Sequence, residues 1–162
     1  AADGKVGELR RDPMAMLPFC GYNMGDYFGH WLNVGKTEGA KMPHVFYVNW
    51  FRRGADGRFL WPGFGENSRV LEWIFDRCAG TAQACETPIG NVPSASDIDV
   101  EGLDLPQEDL EELLRVNVDS WLEEVPSMRE HLGKFGDRLP QGMQDELDAL
   151  EQRLQKAKTA AA

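Results

Sequence analysis

FLWPGFGENSRVLEW, Phe59 to Trp73, decides how this chain is read. Two aromatics, Phe59 and Phe64, flank a Trp61-Pro62-Gly63 bend, and Gly65-Glu66-Asn67 then opens into an amphipathic helix. Stacking surfaces, an amide that both donates and accepts, and a helix N-terminus thus fall within a few residues of one another. Trp50 and Phe51 add an aromatic pair at the end of the preceding segment. Such a set can hold a flat heterocycle. The same residues also suit a plain core, because a Pro-Gly bend and an Asn at a helix start are common structural devices.

The flanking pattern predicts a fold between α/β and α+β: a few-stranded mixed sheet, a central helix and a C-terminal helical hairpin. Asp26 is a candidate N-cap for a helix whose apolar face is Tyr27, Phe28, Trp31, Leu32 and Val34, with Gly35 ending it in a left-handed conformation. His44–Trp50, rich in β-branched and aromatic residues, predicts a buried strand. Ala55-Asp56-Gly57 predicts the turn of a short hairpin joining Phe51–Arg53 to Arg58–Trp61. In the helix after Gly65, Val70, Leu71, Ile74, Phe75 and Cys78 form one apolar stripe, and Gly80 stops it. Thr87–Asn91 is a candidate short strand. Pro106 suits a first helical position, and Leu110, Leu113 and Leu114 then share a face. Val118, Trp121, Leu122 and Val125 follow. Pro126 is expected to kink or break that helix, with Ser127 and Glu130 as a capping box that restarts it. Met143, Leu147, Leu150 and Leu154 define a last amphipathic helix whose KAKTAAA end is expected to fray.

The chain has 162 residues, 42% hydrophobic, and a net charge of −10. Residues 1–80 carry 10 Lys and Arg against 9 Asp and Glu, and residues 81–162 carry 7 against 18. An acidic half argues against binding to nucleic acid or an anionic membrane, and reads as a solvated helical face. Cys20, Cys78 and Cys85 lack C-x-x-C spacing, which fits a reduced, cytoplasmic setting without a disulfide framework or zinc site. His30, His44 and His131 are scattered and read as structural. No apolar run approaches the roughly 18 residues of a membrane span.

DPMAMLPFCGYNMGDYFGHWL (Asp12–Leu32), HVFYVNWFRR (His44–Arg53), FLWPGFGENSRVLEW and TPIG (Thr87–Gly90) occur in an order and spacing that resemble the C-terminal, guanine-binding portion of GTP-dependent phosphoenolpyruvate carboxykinase. The likeness runs from about Asp12 to Val92; beyond it only helical character agrees. The resemblance implies a base sandwiched between Phe51 and Phe64, with Phe59 lining its edge and Asn67 reading it. Backbone near Trp50 and within Phe64, Gly65, Glu66 and Asn67 would complete the contacts. Stacking tolerates any base, so selectivity must come from the edge, where an unmatched buried polar group is costly. Arg69 reads as a structural ion pair rather than a phosphate contact.

The family is a lyase. It decarboxylates oxaloacetate and phosphorylates the enolate from GTP, a gluconeogenic reaction that uses manganese or magnesium. No G-x-x-x-x-G-K-[ST] occurs here. In NVGKTEG (Asn33–Gly39), the residue five before Gly35 is His30 rather than the loop's first glycine. By the resemblance, the phosphate loop, metal ligands and oxaloacetate-binding arginines lie upstream of the matched region. The expectation is therefore a piece of a larger nucleotide-binding domain, inactive alone, whose partners are guanine nucleotide (GTP/GDP) and the missing N-terminal part of the same enzyme. The parent would be monomeric, and the piece could self-associate through uncovered edges.

Residues 1–11 hold no core-forming periodicity, and the resemblance places a mobile lid there, including Ala2, Asp3, Gly4, Lys5 and Gly7. The implied divisions are a truncated lid over 1–11, a guanine-binding α/β portion over 12–95 and an acidic helical portion over 96–162. The alternative is a stand-alone acidic binding module whose helical half engages a partner.

Overall fold

Packing divides the chain into two units, one formed by residues up to 42 together with 118–162, the other by residues 43–117. The computed structural model describes Arg11 and residues 16–161.

The first unit is helical. α1 spans Met24–Gly35, and its N-cap is Asn23 rather than Asp26, with the Asn23 carboxamide accepting from the Gly25 N–H at 2.8 Å. Asp26 lies in the first turn, where the helix dipole favours it, and pairs with Arg138 at 3.1 Å. Gly25 cannot be larger, since a Cβ there would lie 2.5 Å from the Arg138 carbonyl oxygen. The helix does not end through a left-handed Gly35. Its cap is Lys36 in a right-handed conformation, and the positive φ falls later, at Gly39. Met24 and Phe28 are buried with Phe135, whose ring meets Phe28 edge-on at 5.2 Å. Val34, expected on the apolar face, is exposed.

α4 (Val118–Gly133) and α5 (Gln141–Ala161) form the expected helical hairpin. Pairs between Asp119 and Lys158 (2.7 Å) and between Arg129 and both Asp148 (2.9 Å) and Glu151 (2.8 Å) align the helices antiparallel. These exposed pairs set register more than they stabilise; burial of Val125, Leu147 and Leu154 holds the unit together. α4 runs through Pro126 without a break or restart. Proline there removes one backbone hydrogen bond, and the adjacent Val125 is buried, so packing outweighs the loss. α5 continues through Ala161, with the Lys158 pair and the Thr159 hydroxyl on the Gln155 carbonyl at 3.0 Å along its last turns.

The second unit is built on α2 (Asn67–Ala79), which ends, as read, at a left-handed Gly80. Its buried face is rotated from the expected stripe. Trp73 is buried, and Val70 and Ile74 pack beside it against Trp61 and Ile98, whereas Leu71, Phe75 and Cys78 face outward. Cys85–Thr87 and Gly90–Val92 form β1 and β2, an antiparallel pair. The TPIG motif is thus the turn of a hairpin rather than one strand. This pair is the only sheet among the described residues, so the expected mixed sheet is absent there. α3 (Gln107–Leu114) follows, with Pro106 one residue earlier than read, at the N-cap.

His44–Trp50 is not a buried strand. Among the described residues, 41–51 make no backbone–backbone hydrogen bond. The period-two pattern survives without pairing: Phe46, Val48 and Trp50 are half-buried, while Val45 and Tyr47 are 91% and 95% exposed. β-propensity describes fit to a pleated, partnered surface, and no described segment supplies the partner.

Candidate functional site

The Ala55-Asp56-Gly57 turn forms as read. Gly57 has φ 82°, and Arg53 and Phe59 make an isolated antiparallel bridge. That bridge sorts the side chains. Phe51, Arg53 and Phe59 share one face; Arg52, Arg58 and Leu60 lie on the other. On the first face the Phe51 and Phe59 rings meet edge-on at 6.1 Å, and the Arg53 guanidinium sits 4.1 Å from the centroid of Phe59. Phe51 is nevertheless 72% exposed. Arg53 is the residue sequence reasoning passes over here. Its signal is its position two residues from Phe51 on a strand, which places both on one face.

Beyond the bend, Phe64, Gly65 and Glu66 form a 3-10 turn that leads into α2. Phe64 is 98% exposed and has φ 30°, unusual for a residue with a Cβ. Such a conformation costs on the order of 1 kcal/mol and recurs at ligand clamps. An exposed aromatic gains nothing from burial in return. Asn67 starts α2, and its Oδ1 accepts from the buried Trp61 indole N–H at 2.9 Å. In sequence Trp61 reads only as part of the bend, yet a buried indole needs an acceptor, and here it fixes the carboxamide. The Asn67 Nδ2 donors and the second lone pair of Oδ1 are left over. Trp50 packs against the Trp61–Trp73–Ile98 core. Glu66 is bound to Arg69 at 2.7 Å, and Arg69 also reaches Asp99 at 3.4 Å; the Arg69 pKa is raised, chiefly by the Glu66 hydrogen bond. Arg69 is therefore an ion-pairing residue, as read.

The structure brings Phe51 and Phe59 together, and Asn67 onto Trp61. A concavity of about 540 Å³ lies elsewhere in this unit, on the Arg69–Glu72–Trp73–Asp76 face of α2, with an acidic rim of Asp97, Asp99 and Glu101. Gly35-Lys36-Thr37 sits at the C-terminal end of α1, where the helix dipole repels phosphate. Among the described residues, no three His, Cys, Asp or Glu side chains converge to hold a metal, so the donor set does not fit one. Cys20, Cys78 and Cys85 are free thiols. No helix among the described residues is long and apolar enough to cross a membrane. Ala2, Asp3, Gly4, Lys5 and Gly7, read as a lid, lie outside the described residues.

An α+β polypeptide with exposed aromatics beside a helix N-terminus suits nucleotide binding, and residues 1–153 match the family described as phosphoenolpyruvate carboxykinase C-terminal P-loop domain. Among the curated relatives, the chain is 54% identical over 155 residues to phosphoenolpyruvate carboxykinase [GTP] of Arthrobacter sp. (strain FB24), covering 95% of the chain and 25% of that protein. It is 55% identical over 159 residues to the protein of the same name from Neocallimastix frontalis, covering 97% and 26%. For the Treponema pallidum (strain Nichols) protein of that name the identity is 51%, again covering 97% and 26%. The chain belongs to the GTP-dependent phosphoenolpyruvate carboxykinase family, and it spans about a quarter of the length of these relatives. The likeness does not stop near Val92. It takes in the acidic helices, so they no longer call for an independent binding module.

Proposed function

We propose that this chain supplies the guanine-recognition portion of an enzyme that converts oxaloacetate and GTP into phosphoenolpyruvate, GDP and carbon dioxide. The observation that carries the reading is Phe64, an almost fully exposed ring on a left-handed backbone, one turn from Asn67. Phe51 and Phe64 stack on the two faces of the base and Phe59 borders its edge. Asn67, its carboxamide pinned by Trp61, donates from Nδ2 to the guanine O6. Backbone acceptors near Trp50 and along 64–67 take the N1 and N2 hydrogens. Adenine presents a donor where guanine presents O6 and is rejected there. Manganese or magnesium, the phosphate loop and the oxaloacetate contacts come from other parts of the enzyme, which works in the cytoplasm. Residues 1–11 belong to its lid, residues 12–95 to its base-binding portion and 96–162 to its acidic helical end.

The same reading accounts for the apolar surface. Val45 and Tyr47 on the 43–50 segment, which pairs with no strand among the described residues, and Leu71, Phe75 and Cys78 on α2, are exposed together in one unit. The preceding part of the enzyme pairs with the first and covers the second. Without it the chain self-associates. Calorimetry of the 162-residue chain with GDP and ADP tests the base assignment. Weak binding of GDP, with ADP weaker still, is expected; equal affinity would remove the edge-reading role of Asn67.

A further inference from the structure

The hairpin that carries Phe51 and Phe59 is held from behind by α3, a helix whose side chains play no part in the base site just described. Arg58 extends from the inner face of the hairpin to Asp109. Its Nη2 lies 2.8 Å from Oδ1 in hydrogen-bond geometry and 2.7 Å from Oδ2, which is held by charge alone. Asp109 is only 5% exposed. A carboxylate so buried is expensive without a partner, and Arg58 is the cation paired with it. Asp56 holds the other side of the same guanidinium at 3.0 Å and accepts the Arg58 backbone N–H at 3.0 Å, so the turn and the helix share one arginine.

Arg52, on the same inner face, makes the second anchor. Its Nη2 donates to Glu112 Oε1 at 2.9 Å, and its Nη1 donates to the Leu113 and Arg115 carbonyl oxygens, each at 3.1 Å. These carbonyls belong to the last turn and cap of α3, which has no intrahelical partners for them. Arg52 therefore caps the helix while the helix fixes Arg52. Arg115 bonds to Glu112 as well, at 2.6 and 2.9 Å, and orients its carboxylate. Asp109 and Glu112 are three residues apart and so lie on one face of α3. The inner residue Leu60 is buried, and its N–H bonds the Arg52 carbonyl at 3.0 Å.

We propose that α3 is a positioning element for nucleobase binding: Asp109 and Glu112 grip Arg58 and Arg52 on the inner face of the hairpin and thereby set the pose of Phe51 and Phe59 on its outer face. The inference rests on the base-site reading above. It gives part of the acidic C-terminal half a role that bulk solvation does not.

The test uses a full-length carboxykinase carrying this segment, with the variants Asp109→Asn, Glu112→Gln and, as a control on the base site itself, Phe64→Ala. Asp109→Asn and Glu112→Gln are expected to raise the KM for GTP roughly three- to tenfold through a loosened aromatic pose, while kcat and the KM for oxaloacetate stay within about twofold. A merely structural role would lower melting temperature and amount of active enzyme without that split. Asp109 is buried and its variant can fail to fold; Glu112→Gln, on the half-exposed side of α3, then carries the test. A raised GTP KM for Phe64→Ala with none for Glu112→Gln would overturn the brace and leave the base site standing. An unchanged KM for both would overturn the base site and the brace with it.

Discussion

Phe64→Ala in a full-length carboxykinase carrying this segment is expected to raise the KM for GTP by about 5- to 150-fold, the range that corresponds to the roughly 1–3 kcal/mol of one stacked base. The ring is 98% exposed, so no core contact is lost, and melting temperature should not move. Stacking on the base is equal in ground and transition states, because the base is remote from the transferred phosphoryl group. Loss of such uniform binding raises KM and leaves kcat in place. Steady-state kinetics at varied GTP with saturating oxaloacetate reads the split. An unchanged KM would mean that the strained backbone at Phe64 serves something other than the nucleotide.

The 162-residue chain alone is expected to make no phosphoenolpyruvate from oxaloacetate, GTP and divalent metal. Phosphoryl transfer depends on positioning and on cations set against the phosphates. Among the described residues no metal-holding cluster exists, and the one Gly-Lys-Thr run caps the wrong end of a helix. A coupled assay that follows phosphoenolpyruvate should stay at background. Turnover above background by the purified chain would show that the catalytic groups are here after all.

How much of this was legible beforehand differs from element to element. The Ala55-Asp56-Gly57 turn, the stop of α2 at Gly80 and the Leu147–Leu154 spacing of α5 were readable because each is decided by local chemistry: a positive φ, a left-handed cap, a 3.6-residue period. Two failures share a physical cause. α2 is apolar on both sides, with Val70, Trp73 and Ile74 on one and Leu71, Phe75 and Cys78 on the other. Periodicity shows that both sides want cover but not which one this chain covers. His44–Trp50 has the composition of a central strand, yet a strand exists only with a neighbour to pair with. The expected break at Pro126 is missing for the opposite reason, since tertiary packing beside Val125 overrides a local veto.

Within the candidate site, the aromatics and Asn67 stood out by type and spacing. What holds them did not. The Trp61–Asn67 bond crosses a Pro-Gly bend, and Arg58–Asp109 joins residues 51 apart in sequence. No periodicity connects groups at such separations, and only the fold reveals that an acidic helix backs the aromatic hairpin.

The most direct test of guanine recognition is the ratio of kcat/KM for GTP to that for ATP, measured in the full-length enzyme for wild type, Phe64→Ala and Asn67→Ala. Stacking accepts either purine, whereas the Asn67 carboxamide distinguishes their edges. Phe64→Ala should therefore weaken both nucleotides and keep the ratio, while Asn67→Ala should pull it toward unity by about ten- to a hundredfold. A ratio that Asn67→Ala leaves unchanged would contradict the account.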